Sequence, residues 1–114
     1  MGNGEIYMRK YTESHEWVDI NDRQVRVGIT ERALKEIGEV VFIELPKVGS
    51  RVREGEEAVI LESTKAAVEI ASPLTGKVTK VNTQLLENAH LLNRGPEDEG
   101  WLFEMETEAT ENLS

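Results

Sequence analysis

Short runs of alternating apolar and polar residues, separated by turns, make up most of the chain. Residues 24–29 show the clearest alternation, which is typical of a β-strand with its side chains on opposite faces. The pair Asn21-Asp22 separates this run from the one before it, so the two runs predict a hairpin. The predicted strands span residues 15–20, 24–29, 39–45, 58–63, 67–71, 77–81 and 100–105. Their spacing of about ten residues indicates a small all-β sandwich.

Two short segments have helical spacing instead. Thr30 is a suitable N-cap for a helix over residues 31–37, and Gly38 is a suitable residue to end it. Residues 85–92 place apolar side chains on one helical face before a Gly-Pro pair. We therefore expect short helices lying on the sandwich. The large aromatic residues expected in its core are Trp17, Phe42 and Trp101.

The composition describes one acidic domain. The 114 residues suit a single domain with a small core, since 39% are hydrophobic. The formal net charge of -9 argues against a nucleic-acid partner. The chain has no cysteine, and its two histidines offer little for a metal site. Without an apolar run of membrane-spanning length or a secretory signal, we expect a soluble, cytoplasmic protein that binds proteins or small molecules.

The acidity is concentrated at the C-terminal end. Residues 97–114 contain seven acids and no Lys or Arg, whereas the residues before them are nearly balanced in charge. One interpretation is a solvated, partly frayed tail. The other is an acidic edge that docks a basic partner.

Lys65 has an unusual setting for a lysine. It lies between two predicted strands in a Thr-Lys-Ala tripeptide without glycine, and its neighbours Ser63, Ala66 and Ala67 are small. No other Lys or Arg occurs within eleven residues on either side. Glycines ten residues before it and eleven after it suit a protruding hairpin. The sequence therefore predicts an amine that other proteins can reach.

An accessible amine at a hairpin turn is well placed to hold a prosthetic group. An amide between Nζ and lipoate would give an arm of about twelve bonds, which extends on the order of 14 Å. Such an arm can move an intermediate between the active sites of other enzymes, while the cofactor supplies the chemistry. We interpret Lys65 as this point of attachment.

Residues 62–76, with the sequence Glu-Ser-Thr-Lys-Ala-Ala-Val-Glu-Ile-Ala-Ser-Pro-Leu-Thr-Gly, resemble the lipoylation segment of the glycine cleavage system H-protein family. Further matches occur in register at residues 14–18, 27–30, 38–46, 81–82, 92–93 and 99–102. The resemblance implies the barrel-sandwich hybrid fold of lipoyl and biotinyl carriers, all-β with two or three short helices. It divides the chain into an N-terminal extension (1–10), a lipoyl carrier domain (11–106) and an acidic C-terminal tail (107–114).

The resemblance also implies a cofactor, partners and a site. Lipoate would be joined to Lys65 by a lipoate ligase or lipoyl synthase. The protein, a monomeric and non-catalytic carrier, would shuttle an aminomethyl group between glycine decarboxylase, aminomethyltransferase and dihydrolipoamide dehydrogenase. In the family the loaded arm folds into a cleft, and the matching positions here are Ser14, Glu16 and Glu69. Glu62 is either recognised by the modifying enzyme or a solubilising residue.

Three positions depart from the family pattern. Glu69 stands where Asp is usual, Ala89 stands where proline is frequent, and the tyrosine that commonly follows Pro96 is absent. Lipoate-binding proteins that resemble the H protein also occur in other pathways. Sulfur oxidation with heterodisulfide-reductase-like enzymes is therefore the alternative function.

Other classes fit the residues less well. A biotin carrier usually has methionines beside its lysine, where this chain has Thr64 and Ala66. A lipoyl domain of a 2-oxoacid dehydrogenase more often shows Asp-Lys-Ala. Residues 14–16 contain the types found in a Ser-His-acid triad, but neighbours on a strand point to opposite faces. A plain interaction module, in which Lys65 is never modified, is the remaining class.

Overall fold

The computed structural model describes residues 8–108, and its strands form two antiparallel sheets. The strands are β1 (Met8–Tyr11), β2 (Glu16–Asn21), β3 (Gln24–Ile29), β4 (Val40–Glu44), β5 (Arg51–Val52), β6 (Glu57–Ser63), β7 (Ala67–Ala71), β8 (Gly76–Val81) and β9 (Phe103–Thr107). The helices are α1 (Glu31–Ile37), α2 (Gln84–Glu87) and α3 (His90–Arg94). One sheet has the order β1-β2-β3-β9-β8-β5 and the other β4-β6-β7. The predicted all-β class with short helices is confirmed.

The core lies where apolar side chains of both sheets meet. Val27 and Phe103 of the larger sheet are fully buried, as is Leu61 of the smaller one. Alternation along each strand produces this arrangement, because every second side chain faces inward. The described residues include no helix that is long and apolar enough to cross a membrane.

The predicted first helix is confirmed together with both of its ends. The Thr30 hydroxyl accepts a hydrogen bond from the amide of Ala33 at 3.1 Å, which satisfies one of the free donors of the first turn. Gly38 ends the helix with φ of +95°, a backbone region that favours glycine. Its amide donates to the carbonyl of Leu34.

Four elements differ from the sequence prediction. Strand β1, which pairs with β2, and strand β5, which pairs with β8, were not predicted. The expected single helix over residues 85–92 is two helices, because Asn88 leaves helical geometry between α2 and α3. The last strand begins at Phe103 instead of residue 100, since Gly100 packs closely on the backbone around Gly95. Residues 1–7 and 109–114, most of the predicted extension and tail, lie outside the described residues.

The predicted burial of Phe42 is wrong. A register shift between Val40 and Phe42, where β4 pairs with β6, interrupts the alternation and leaves both Val41 and Phe42 exposed. Phe42 is 53% exposed and lies in a groove of about 490 Å³ between β4 and α2. Trp17 is fully buried as predicted, and Trp101 is half-buried.

Four acids of the C-terminal region form ion pairs within the described residues. Their partners are arginines distributed along the chain: Glu97 pairs with Arg9, Glu99 with Arg94, Glu104 with Arg26, and Glu108 with Arg51. Arg26 and Glu104 are cross-strand partners on β3 and β9, with 2.6 Å between nitrogen and oxygen. Residues 103–107 form β9, and the ion pairs connect Glu97, Glu99 and Glu108 to the rest of the domain, so residues 97–108 are not a frayed tail.

Trp17 and Gly28 are packed closely against each other in the larger sheet. They are cross-strand partners on β2 and β3, and a Cβ at residue 28 would lie 2.4 Å from the indole ring. The indole Nε1 donates to the carbonyl of Pro96 at 2.9 Å, and the guanidinium of Arg9 lies 4.0 Å from the ring centroid. Only glycine leaves room for this ring.

We expect Gly28→Ala to lower the free energy of unfolding by roughly 1–3 kcal/mol, because the added methyl overpacks a buried contact. Gly95→Ala is the matched control, since the nearest atom to its added Cβ lies at 3.7 Å and the residue has negative φ. Its effect should stay within about 0.5 kcal/mol. Urea denaturation measures both, and equal effects would contradict this account of Gly28.

Candidate functional site

Lys65 lies in the three-residue connection between β6 and β7. The hydroxyl of Ser63 accepts hydrogen bonds from the amides of Lys65 and Ala66, both at 3.0 Å, and donates to the carbonyl of Ala66 at 3.2 Å. The amide of Ser63 also donates to that carbonyl at 2.8 Å. One side chain thus closes a turn that contains no glycine.

The turn is also fixed to the end of α1. The amide of Thr64 donates to the carbonyl of Glu39 at 3.1 Å. A Cβ at Gly38 would lie 2.8 Å from Cε of Lys65, so the lysine stem runs directly over this glycine. The backbone at Lys65 is therefore held from two directions.

The side chain of Lys65 is exposed and has no ion pair among residues 8–108. Glu62, three residues earlier on β6, is also exposed and pairs across the ladder with Ala67. Nothing in this part of the chain buries or neutralises the amine. It is chemically available for amide formation.

A cavity of about 250 Å³ brings together Ser14 of the turn before β2, Glu16 of the larger sheet and Glu69 of the smaller sheet. We call it the Glu69 cavity; His15, Glu36 and Val68 also line it. Ser14 and His15 lie in a turn before β2, and His15 has φ of +67°. The sequence placed His15 on the strand, which instead begins at Glu16.

Glu16 is the buried acid of this cavity, with 5% of its surface exposed. The Thr12 hydroxyl donates to Oε1 of Glu16 at 2.8 Å and accepts from the backbone amide of Glu16 at 3.1 Å. Burial raises the pKa of Glu16, and the Thr12 hydrogen bond and the charge of His15 act in the opposite direction. Glu16 is thus hydrogen-bonded to Thr12, a residue that was not among the predicted site residues.

Glu69 is exposed on β7, and a second acid lies beside it. Desolvation raises the pKa of Glu57 on β6 the most, and the negative charge of Glu69 raises it further. Glu57 and Glu69 are twelve residues apart and become neighbours only through the register of β6 with β7. No local pattern could have identified this pair.

Comparisons with known proteins identify the family of the chain. A family model described as "Glycine cleavage H-protein" matches residues 9–114. The chain belongs to the glycine cleavage H-protein family. It is 48% identical to the glycine cleavage system H protein of Thermotoga maritima over 87% of this chain and 80% of that protein. It is 50% identical to the one of Myxococcus xanthus over 85% and 75%.

A solved structure supports the same family. The crystal structure of a glycine cleavage system H protein from Mycobacterium marinum matches with a TM-score of 0.84 and 37% identity, over 89% of this chain and 84% of that one. The predicted barrel-sandwich hybrid is therefore confirmed. H proteins of this family are lipoate-carrying subunits and not enzymes, which confirms the prediction of a non-catalytic carrier.

We expect Ser63→Ala to loosen the Lys65 turn. Each lost hydrogen bond contributes about 1 kcal/mol net, so exchange of the Lys65 and Ala66 amides should accelerate on the order of fivefold. Ser63→Thr keeps the hydroxyl and is the control. Hydrogen exchange measured by NMR reads both amides, and unchanged rates in the alanine variant would show that Ser63 does not hold the turn.

Glu16 should make stability depend on pH. Because its pKa is raised on folding, the folded state binds the proton more tightly than the unfolded chain, so stability falls as pH rises from the ordinary Glu pKa through the raised pKa. The side chain of Glu16→Gln cannot titrate, so it does not contribute to this fall in stability. The free energy of unfolding of the variant relative to the natural protein should therefore increase with pH in denaturation series. A difference that is constant over this range would refute the assignment.

Proposed function

We propose that this protein is a lipoyl carrier of glycine cleavage, with lipoate attached by an amide to Lys65. The observation that supports this most is the exposed, unpaired Lys65 amine on a turn fixed by Ser63, in a chain of the H-protein family. A bound lipoyl group supplies a disulfide that accepts electrons and a one-carbon unit. The proposed carrier works in the cytoplasm as a monomer.

The Glu69 cavity is the proposed seat for the loaded end of the arm. Glu69 lies four residues after Lys65, and a strand rises about 3.4 Å per residue, so its Cα is at most roughly 14 Å away. This matches the length of a lipoyl-lysine arm. Ser14, Glu16 and Glu69 supply acceptor oxygens for a cationic aminomethyl group, and the cavity walls reduce its contact with water.

The proposed partners are glycine decarboxylase, aminomethyltransferase and dihydrolipoamide dehydrogenase. A lipoate ligase or lipoyl synthase would modify Lys65, and Glu62 is exposed on the same hairpin, where such an enzyme can contact it. The turn is accessible because Thr64, Lys65 and Ala66 are all exposed. This accessibility suits successive docking into several active sites.

We expect Lys65→Arg to abolish lipoylation and glycine cleavage while leaving the fold intact, because a guanidinium does not form the amide. Lys77→Arg, an exposed residue of β8, is the matched control and should be lipoylated normally. Incubation with lipoate, ATP and a lipoate ligase, followed by intact mass, measures the modification. Lipoylation of the arginine variant would overturn the assignment of Lys65.

The pathway is tested by reconstitution with the lipoylated protein. We expect turnover with glycine decarboxylase, aminomethyltransferase and dihydrolipoamide dehydrogenase, and none with a heterodisulfide-reductase-like sulfur-oxidising complex. The opposite result would replace glycine cleavage by the sulfur-oxidation alternative. If the natural chain does not accept lipoate, the protein is a plain interaction module in which Lys65 is never modified.

A further inference from the structure

The side chain of Asn93, a residue of α3, is hydrogen-bonded to the backbone of β4. Its Oδ1 accepts from the amide of Val40 and its Nδ2 donates to the carbonyl of the same residue, both at 2.9 Å. Among the strands of residues 8–108, β4 pairs only with β6, so its other side is a sheet edge. One side-chain amide therefore supplies the donor and the acceptor that a neighbouring strand would supply there.

The peptide unit between Glu39 and Val40 connects Asn93 to the Lys65 turn. Its N–H donates to Asn93 on one side. Its carbonyl, which belongs to Glu39, accepts from the amide of Thr64 at 3.1 Å on the other side. Because a peptide unit is planar and rigid, its position is set by both contacts at once. A displacement of this unit would break the hydrogen bond to the residue directly before Lys65.

The segment around this peptide unit also contacts the lysine stem. A Cβ at Gly38 would lie 2.8 Å from Cε of Lys65, so the stem packs on the backbone of residue 38. Val40 is the cross-strand partner of Ser63, whose hydroxyl closes the turn. Residues 38–40 are therefore the surface on which both the turn and the stem of Lys65 rest.

Helix α3 is itself fixed to the core. The side chain of Leu92, next to Asn93, is fully buried. A Cβ at Gly100 would lie 2.8 Å from Cα of Leu92, so the backbone before β9 packs directly on this helix. Asn93 is half-buried, which protects its hydrogen bonds from competition by water. The core thus holds Val40 in place through Asn93.

We infer that Asn93 is a positioning residue for Lys65, whose two hydrogen bonds to Val40 keep the Lys65 turn in the geometry that a modifying enzyme binds. This inference rests on the proposed acylation of Lys65 and extends it to a side chain on another element. Without Asn93 the turn would sample several positions, and the fraction competent for binding would fall. A lower competent fraction raises the apparent KM, whereas the bound complex reacts at an unchanged rate.

The first test is the kinetics of lipoylation of Asn93→Ala by a lipoate ligase. We expect KM for the carrier to rise on the order of fivefold and kcat to stay within about twofold of the natural protein. The second test is amide hydrogen exchange of Thr64 and Lys65, measured by NMR on the unmodified protein. Both amides should exchange faster in the variant, on the order of fivefold, and this result does not depend on acylation.

Asn82→Ala is the matched control for a loss of stability alone. Asn82 is buried, and its Nδ2 donates at 2.9 Å to the carbonyls of Glu99 and Trp101, so the variant also loses two hydrogen bonds. Neither of these carbonyls belongs to β4. We expect this variant to lower the free energy of unfolding while leaving KM and the exchange of the Thr64 amide unchanged.

Further variants cover a failure to fold. Asn93→Asp keeps an acceptor for the amide of Val40 but at neutral pH has no donor for its carbonyl, so it should also raise KM. Asn88→Ala replaces the control if Asn82→Ala does not fold, because Asn88 is exposed and its Oδ1 accepts only from the amide of His90.

Three results would overturn the inference: equal effects of the Asn93 variant and its control, a loss of kcat with KM unchanged, or unchanged exchange of the Thr64 and Lys65 amides. A natural chain that accepts no lipoate would instead overturn the proposed function. The amide exchange would then still decide whether Asn93 holds the turn.

Discussion

The hydroxyl of Ser63 is the interaction on which the presentation of Lys65 depends. A carrier lysine must be exposed, but an exposed turn costs conformational entropy to hold in one geometry. Two amide donors and one carbonyl of the turn are bonded to this single side chain and leave the lysine stem free. These hydrogen bonds offset the entropy cost, and the side chain of Lys65 makes none of them.

The larger sheet fixes one wall of the Glu69 cavity. Trp17 is buried against Gly28 and hydrogen-bonded to Pro96, so the start of β2 cannot shift relative to its neighbours. Glu16 directly precedes Trp17, so its backbone is held in place by the same contacts. A buried carboxylate with a raised pKa persists here because Thr12 supplies its hydrogen bond, and its position is set by an indole packed on the adjacent strand.

Local signals explain which elements the sequence could predict. The cap at Thr30, the end at Gly38 and the alternation of β3 each depend on a few neighbouring residues, and all were predicted. The exposure of Phe42 depends on a register shift against another strand, which alternation along β4 cannot indicate. The ion pairs of the C-terminal acids join residues far apart in the chain and were missed for the same reason.

The candidate site shows the same division. Lys65 could be identified from its own neighbours, whereas the meeting of Ser14, Glu16 and Glu69 came only from a family resemblance, since β2 and β7 belong to different sheets. A group tethered to Lys65 would need little affinity for the Glu69 cavity. A short tether would hold its end at an effective concentration in the millimolar range, so a contact worth about 4 kcal/mol would fill the cavity roughly half of the time. A much tighter contact would keep the end from leaving, so a cavity whose main feature is the charge of Glu16, Glu36 and Glu69 suits such an arm better than a deep pocket does.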